Sequence, residues 1–320
     1  MIKRGLTKRS PARYEMDMTT GPLLPKILMF SGPLILTGIL QLLYNAADIA
    51  VVGQFATHQS QAAVTSTGSL INLLVNVFMG LSIGTSVLVA RYHGAGDAPN
   101  IRKAVHTSIT VALVAGVGVG IMGFILARPM LELMQSASDV IDLATLYVRI
   151  YFLGMPANML YNFGAAILRA VGDTRRPMYI LSLAGLINVG LNLLLVIVFR
   201  LDVAGVAIAT VTSQVVSAAL VLLCLIRSHS AIHLDVHALR ISWPHMREIL
   251  RVGLPAGLQG SVFSISNVLI QSAINSFGIS ELIAGNGDAA NLEGFVYTAM
   301  NAIHNADLTF ASQNMGAGQY

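Results

Sequence analysis

Gly94-Ala95-Gly96 returns as Gly316-Ala317-Gly318, 222 residues further along the chain. At the same offset Pro33 falls on Pro255, Leu36 on Leu258, Gly38 on Gly260, Asn45 on Asn267, Phe55 on Phe277 and Ala62 on Ala284, with no gap. A fixed offset held over this many positions is an internal repeat, and it sets the architecture before any other signal is read. One copy is complete, and the second stops after roughly a third of its length.

Composition says what kind of unit is duplicated. Hydrophobic residues make up 55% of the 320-residue chain and charged residues 11%, with a mean hydropathy of +0.70. A soluble domain carries about 25% charged residues. The deficit predicts an all-α polytopic membrane protein in contact with the lipid bilayer. The net charge of +4 comes from residues placed between apolar runs, with no basic face interleaved with aromatics, so no nucleic-acid partner is expected. Cys224 stands alone, which excludes an intrachain disulfide. Lys3, Arg4, Lys8, Arg9 and Arg13 precede no apolar core before about Ile27, so the N-terminus does not read as a cleavable signal.

A membrane-spanning helix needs about 20 mostly apolar residues. Eight such spans are expected, at 27–53, 62–90, 102–127, 141–165, 177–199, 203–226, 248–276 and 289–313. Turn signals separate them: Gly94 to Asp97, Arg128-Pro129, Gly172 to Pro177, and Trp243-Pro244. With these spans, 16 of the 19 Lys and Arg residues fall on the N-terminal side; the other three are Arg128, Arg149 and Arg200. By the positive-inside rule the N-terminus is cytoplasmic, in the inner (plasma) membrane. Six spans per copy, an even number, orient both copies alike. Parallel repeats of this kind are a transporter architecture, with the site between the halves. The expected parts are a cytoplasmic tail (1–22), a first six-helix lobe (23–227), a cytoplasmic linker (228–246) and the first two helices of a second lobe (247–320). A complete second copy would end near residue 449, four spans further on, so the chain reads as C-terminally truncated: eight helices of twelve.

Several motifs, in order and at spacing, then name a family. Asp17-Met-Thr-Thr-Gly-Pro22, Phe30-Ser-Gly-Pro33, Gln41-Leu-Leu-Tyr-Asn45 and Asp48-Ile-Ala-Val-Val-Gly53 closely resemble the opening of multidrug and toxic compound extrusion (MATE) transporters. Gly80-Leu-Ser-Ile-Gly84, Gly94-Ala-Gly-Asp97, Arg169-Ala-Val-Gly-Asp-Thr-Arg-Arg-Pro177 and Gly205-Val-Ala-Ile-Ala-Thr210 continue the resemblance. In the second copy, Ala289-Ala-Asn-Leu-Glu-Gly-Phe295 and Gln313-Asn-Met-Gly-Ala-Gly318 match as well. The resemblance implies twelve helices in two lobes. It also implies export of small organic, usually cationic, compounds against inward H+ or Na+ flow, with the ion as the only cofactor. The expected protein is a monomer and not an enzyme.

Asp48 is the leading candidate residue. A carboxylate at the centre of a span costs about 2.5–3.5 kcal/mol on insertion scales. Gln41, Asn45 and Asp48 follow i, i+4, i+7 spacing and so share one helical face, with Tyr44 beside them. The face reads either as a cation or proton site or as a hydrogen-bonded packing acid; the resemblance favours the first, because Asp48 matches the family's coupling acid. Asn188 and Asn192, at i, i+4 on the fifth span, match the family's polar pair there, with Asn192 where many members carry an acid. Amide oxygens are hard ligands that suit Na+, and interhelical amide bonding is the alternative. In the second copy Asp48 maps to Ile270 and Gln41 to Phe263, so coupling is expected in the first lobe. Asn267 and Glu293 are expected along a substrate path. Asp288 and Asp307 are acids outside the family pattern, and Asp307 is expected to be a tolerated polar residue in the last span.

Other features carry less. His229, His233 and His237 have helix-like spacing but read as part of a solvated amphipathic linker. Gly116, Gly118 and Gly120 read as close helix packing and not as a nucleotide loop, since no Lys follows. Two alternatives to an antiporter stand: a flippase for lipid-linked precursors, for which more cations would be expected in the cavity, and a non-transporting remnant. An intramembrane enzyme lacks any paired acids, metal cluster or Ser–His arrangement across the spans.

Overall fold

A computed structural model describes residues 15–55, 57–134, 140–275 and 280–319. The basic residues Lys3 to Arg13 and position 276 lie outside this description, as does the side chain of Asp288. The described chain is helical: α1 (Leu23–Phe55), α2 (His58–Gly94), α3 (Ala98–Leu133), α4 (Ile141–Leu153), α5 (Met155–Ala170), α6 (Arg175–Asn192), α7 (Asp202–Ile226), α8 (Trp243–Asn275) and α9 (Ser280–Ala317). A π-helical segment, Leu193–Val198, prolongs α6. Among the described residues four segments are long and apolar enough to cross a membrane: Leu23–Phe55, Ala98–Leu133, Arg175–Val198 and Asp202–Ile226.

Three local expectations change. The span expected at 141–165 is two helices, α4 and α5, broken at Gly154, because Pro156 in the first turn of α5 has no N–H to continue the ladder. Pro129, expected to end a span, is carried inside α3, which closes one turn later with Met134 N–H donating to Met130 O at 3.0 Å. The linker is not a solvated helix. Ile232 and Leu234 are buried against the first lobe, and a single 3-10 turn, Val236–Ala238, stands where the histidine spacing suggested α-helix.

The repeat is visible as geometry. Shifting α2 by 222 residues gives 280–316, and α9 occupies Ser280–Ala317. Gly94 packs against the Gln313 carbonyl and Gly316 against the Arg91 carbonyl, so closely that a Cβ on either glycine would overlap the facing backbone. Positions 91 and 313 are themselves one repeat apart, so the two contacts are mates under a pseudo-twofold. Gly38 facing Thr298 and Gly260 facing Asn76 form a second such pair. Both Gly-Ala-Gly turns therefore lie at one end of the molecule, touching.

That end is held shut. Gly80 on α2 meets the backbone of Gly253 and Gly257 on α8, with no side chain between the two helices. Asn76 Nδ2 donates to Ser264 Oγ at 2.9 Å further along the same seam. Met18, Phe30, Ala306 and Phe310 form a separate buried cluster joining the N-terminal segment and α1 to α9, with the two phenyl rings edge-on at 6.0 Å. Gln313 Nε2 donates to Ala170 O at 2.7 Å, and Asn314 Nδ2 to Met18 O at 3.2 Å. Towards the opposite end Asn45, Asn267 and Glu293 are exposed.

The turn at Gly172 to Thr174 sets the direction of α6. Asp173, 1% exposed, accepts the Arg176 N–H at 3.1 Å and pairs with the Arg176 guanidinium at 2.7 Å. It thereby caps α6, whose N-cap Thr174 makes no side-chain cap bond. Burial pushes the Asp173 carboxyl above its ordinary range, against the pull of the Arg176 N–H and charge. Asp173→Ala is expected to cost about 1–2 kcal/mol, since it frees the cap N–H and strips Arg176 of its counter-charge. Asp173→Asn keeps the acceptor without the buried charge, and should cost less. Thermal unfolding of the two variants in detergent checks the order.

Candidate functional site

The site is built where α1, α6 and α7 meet. α1 places Asp48 about two turns from its end at Phe55, facing α6. There Asn192 Nδ2 donates to Asp48 Oδ1. The same Nδ2 donates to Asn188 Oδ1 at 3.3 Å, and Asn188 Nδ2 lies 3.5 Å from Thr210 Oγ1 on α7. Thr210 in turn donates to Val206 O at 3.0 Å. A chain of carboxylate, two amides and a hydroxyl thus crosses three helices. Asn192 is 1% exposed and Asn188 5%.

One acceptor in this chain is unused. Asn192 Oδ1 is buried without a hydrogen-bond partner. A buried carbonyl oxygen left unpaired costs about 1–3 kcal/mol, and here it sits on the amide already bound to the Asp48 carboxylate. The site therefore holds a spare oxygen acceptor where a proton on Asp48, or a small hard cation, would find one. The π-helical segment begins on the residue after Asn192, so the widened turn fixes where this amide points; such segments recur at functional positions.

Tyr44 locks α1 to α6. Its hydroxyl donates to Ser182 O at 3.1 Å, and its ring lies on Gly185, where any Cβ would collide with it. Gln41 and Asn45, on the same face by spacing, are exposed, and neither side chain makes a hydrogen bond among the described residues. Asn267 on α8 and Glu293 on α9 are exposed and stand apart from the Asp48 chain. Between them Phe263 and Tyr297 stack at 5.7 Å, nearly parallel. Asp307 points away from the packed face of α9 and is exposed. Arg149 lies with its guanidinium carbon 5.3 Å from the centre of the Phe124 ring, a cation–π contact between α4 and α3.

Sequence reasoning passed over Tyr147, which is buried on α4 within electrostatic reach of Asp48, with Tyr151 one turn on at 6.3 Å between rings. The i, i+4 tyrosine pair was the available signal. Thr210 stood at the end of a motif singled out for its resemblance only.

Comparison with known proteins agrees with this geometry. The MatE family profile matches residues 33–194, just over half of the chain. "Probable multidrug resistance protein YpnP" of Bacillus subtilis (strain 168) is 27% identical over 302 residues, covering 94% of this chain and 67% of that protein. A "FAD transporter" of Shewanella oneidensis is 27% identical over 292 residues, covering 89% of this chain and 64% of that protein. A multidrug resistance MATE family transporter solved in an outward-facing conformation superposes with a TM-score of 0.87 at 24% identity, over 94% of this chain and 66% of the other. The fold and these relatives define a multi-pass helical membrane transporter, not an enzyme. The chain belongs to the MatE family, the multidrug and toxic compound extrusion transporters. It spans about two thirds of the length of the relatives it matches.

Proposed function

We propose that this chain supplies the first lobe, and the opening helices of the second, of an antiporter that exports small organic cations in exchange for H+ or Na+. Eight of its segments span the membrane, α4 and α5 together making one, with the N-terminus in the cytoplasm. The transporter acts as a monomer in the plasma membrane. Asp48, held by Asn192, is the coupling group, and the unpaired Asn192 oxygen beside it is the observation that carries the reading.

The coupling follows from differential affinity. An ion or drug shifts a two-state protein only by binding one state better than the other. Asp48 ionised accepts from Asn192; Asp48 protonated presents a donor, and the nearby unpaired acceptor favours that state. Sodium would be held through the Asp48 carboxylate and the amide oxygens of Asn188 and Asn192, a hard oxygen set. Either event changes the bonding between α1 and α6 and so biases how α1 lies in the lobe. Closure at the Gly-Ala-Gly end, with Asn45, Asn267 and Glu293 exposed towards the other, supports an outward-open state. In that state a cation leaves past Asn267 and Glu293.

The groups around Asp48 are neutral amides, hydroxyls and a phenol, with one carboxylate. That favours a cationic cargo over an anionic dinucleotide of the kind the Shewanella relative is named for. Vesicles holding the transporter should expel ethidium when a proton or sodium gradient is imposed, and stop when an ionophore collapses it. Gradient-driven movement of FAD without ethidium would reverse the cargo assignment.

A further inference from the structure

A cavity of about 460 Å³ opens between the first turns of α3 and the linker that joins the repeats, far along the chain from Asp48. Arg102 and Lys103 line it from α3 and Arg240 from the linker, with His106, His229 and Ser242 completing the wall. The linker is fastened there by two bonds. Asp235 N–H donates to His106 Nε2 at 3.1 Å, and Ser242 N–H to Thr107 Oγ1 at 3.1 Å. His106 Nδ1 lies 2.7 Å from Arg102 O, so the ring is neutral with both nitrogens committed, and it is 4% exposed. Its role is to hold the wall in place.

Three cations drawn from positions 137 or more residues apart are thereby held around one space, and no carboxylate lines it. Among the described residues none of the three makes an ion pair. Like charges held together repel, and an anion in the cavity relieves that repulsion. Two guanidiniums and an ammonium match phosphate oxygens, by bidentate and point-charge contacts. The N-terminal end of α3 beside them adds positive potential. The volume falls within the about 300–1,000 Å³ of small-molecule sites.

We propose that this cavity binds a phosphate-bearing anion, with Arg102, Lys103 and Arg240 as its ligands. The site is separate from the ion and drug pathway. Its position on the cytoplasmic face rests on the orientation proposed above; the binding itself does not. The phosphate comes either from an anionic lipid headgroup of the facing leaflet or from a soluble phosphate compound. An occupant bridging α3 and the linker would tie the linker to the first lobe, next to the start of α8.

Trp243, the only tryptophan, adjoins Ser242 on the cavity wall and is 76% exposed, so its fluorescence reports the site. The purified chain is titrated with inorganic phosphate in detergent, and separately placed in nanodiscs of phosphatidylglycerol or of phosphatidylcholine. A saturable change with inorganic phosphate identifies a soluble ligand; a change confined to phosphatidylglycerol discs identifies a headgroup. Either should be lost in the triple variant R102Q/K103Q/R240Q and kept in Lys103→Arg. If circular dichroism shows that the triple variant does not fold, Lys103→Gln and Arg240→Gln carry the test, each expected to weaken binding about tenfold. No response to either phosphate source, or a response unchanged by these substitutions, overturns the proposal. The readout involves no transport, so its failure is distinct from failure of the antiport reading.

Discussion

Gly80→Val will separate α2 from α8 and lower the stability of the protein by about 3 kcal/mol, the upper end of what overpacking costs. A Cβ at Gly80 overlaps the backbone nitrogen and Cα of Gly257 and the Gly253 carbonyl. Backbone cannot rotate aside as a side chain can, so the helices must move. Gly118→Val is the matched control: it sits on α3 with nothing within 4 Å of the added carbon. Thermal unfolding in detergent should separate the two variants clearly. A second readout reports the seam directly. Asn76→Cys with Ser264→Cys, in a Cys224→Ser background, replaces a 2.9 Å hydrogen bond by a disulfide-forming pair. Cross-linking should be efficient with Gly80 and fall with valine. Equal stability and equal cross-linking in the Gly80 and Gly118 variants would mean that the glycine seam does not hold the halves together.

Asp48→Asn will uncouple export from the ion gradient while leaving the lobe folded. The substitution keeps shape and an oxygen for the Asn192 N–H to reach, and removes only the ionisable group. Coupling free energies of about 1–3 kcal/mol correspond to about 5–150-fold in the coupled equilibrium, and a loss of gradient-driven ethidium efflux within that range is expected. Gln41→Ala and Asn45→Ala should cost less, because both side chains are exposed and outside the hydrogen-bonded chain. Efflux that survives in Asp48→Asn but fails in Gln41→Ala would move the coupling group to the exposed face of α1.

The fold was legible in the sequence where translation along the chain is the governing signal. A gapless offset of 222 residues placed α9 from α2, because equal sequence spacing becomes equal helix length and then a symmetric contact at Gly94 and Gly316. The break at Gly154 was less legible: hydropathy runs on through Leu153 and Met155, and only Pro156 signals the lost N–H. The linker misled because His229, His233 and His237 imitate a helical period, while Ile232 and Leu234 between them are what the fold buries.

At the site, Asp48 stood out by its insertion cost and Asn188 with Asn192 by their spacing. That Asp48 meets Asn192, 144 positions away, depends on how α1 lies against α6, which no local pattern encodes. The anchor that sets it, Tyr44 on Gly185 with its hydroxyl on Ser182 O, combines an aromatic and a small residue that each read as ordinary packing. The π-helical segment after Asn192 was equally hidden, since Leu193–Val198 is an apolar run that suits an α-helix as well.

The most direct test is to watch the Asp48 carboxyl itself. Infrared difference spectra of the protein with isotope-labelled aspartate, recorded as pH is raised and as sodium is added, should show one protonated carboxyl band that disappears under the coupling ion's conditions and is missing in Asp48→Asn. A spectrum in which no carboxyl band responds to either ion, or in which the responding band persists in Asp48→Asn, would contradict the assignment of Asp48 as the coupling group.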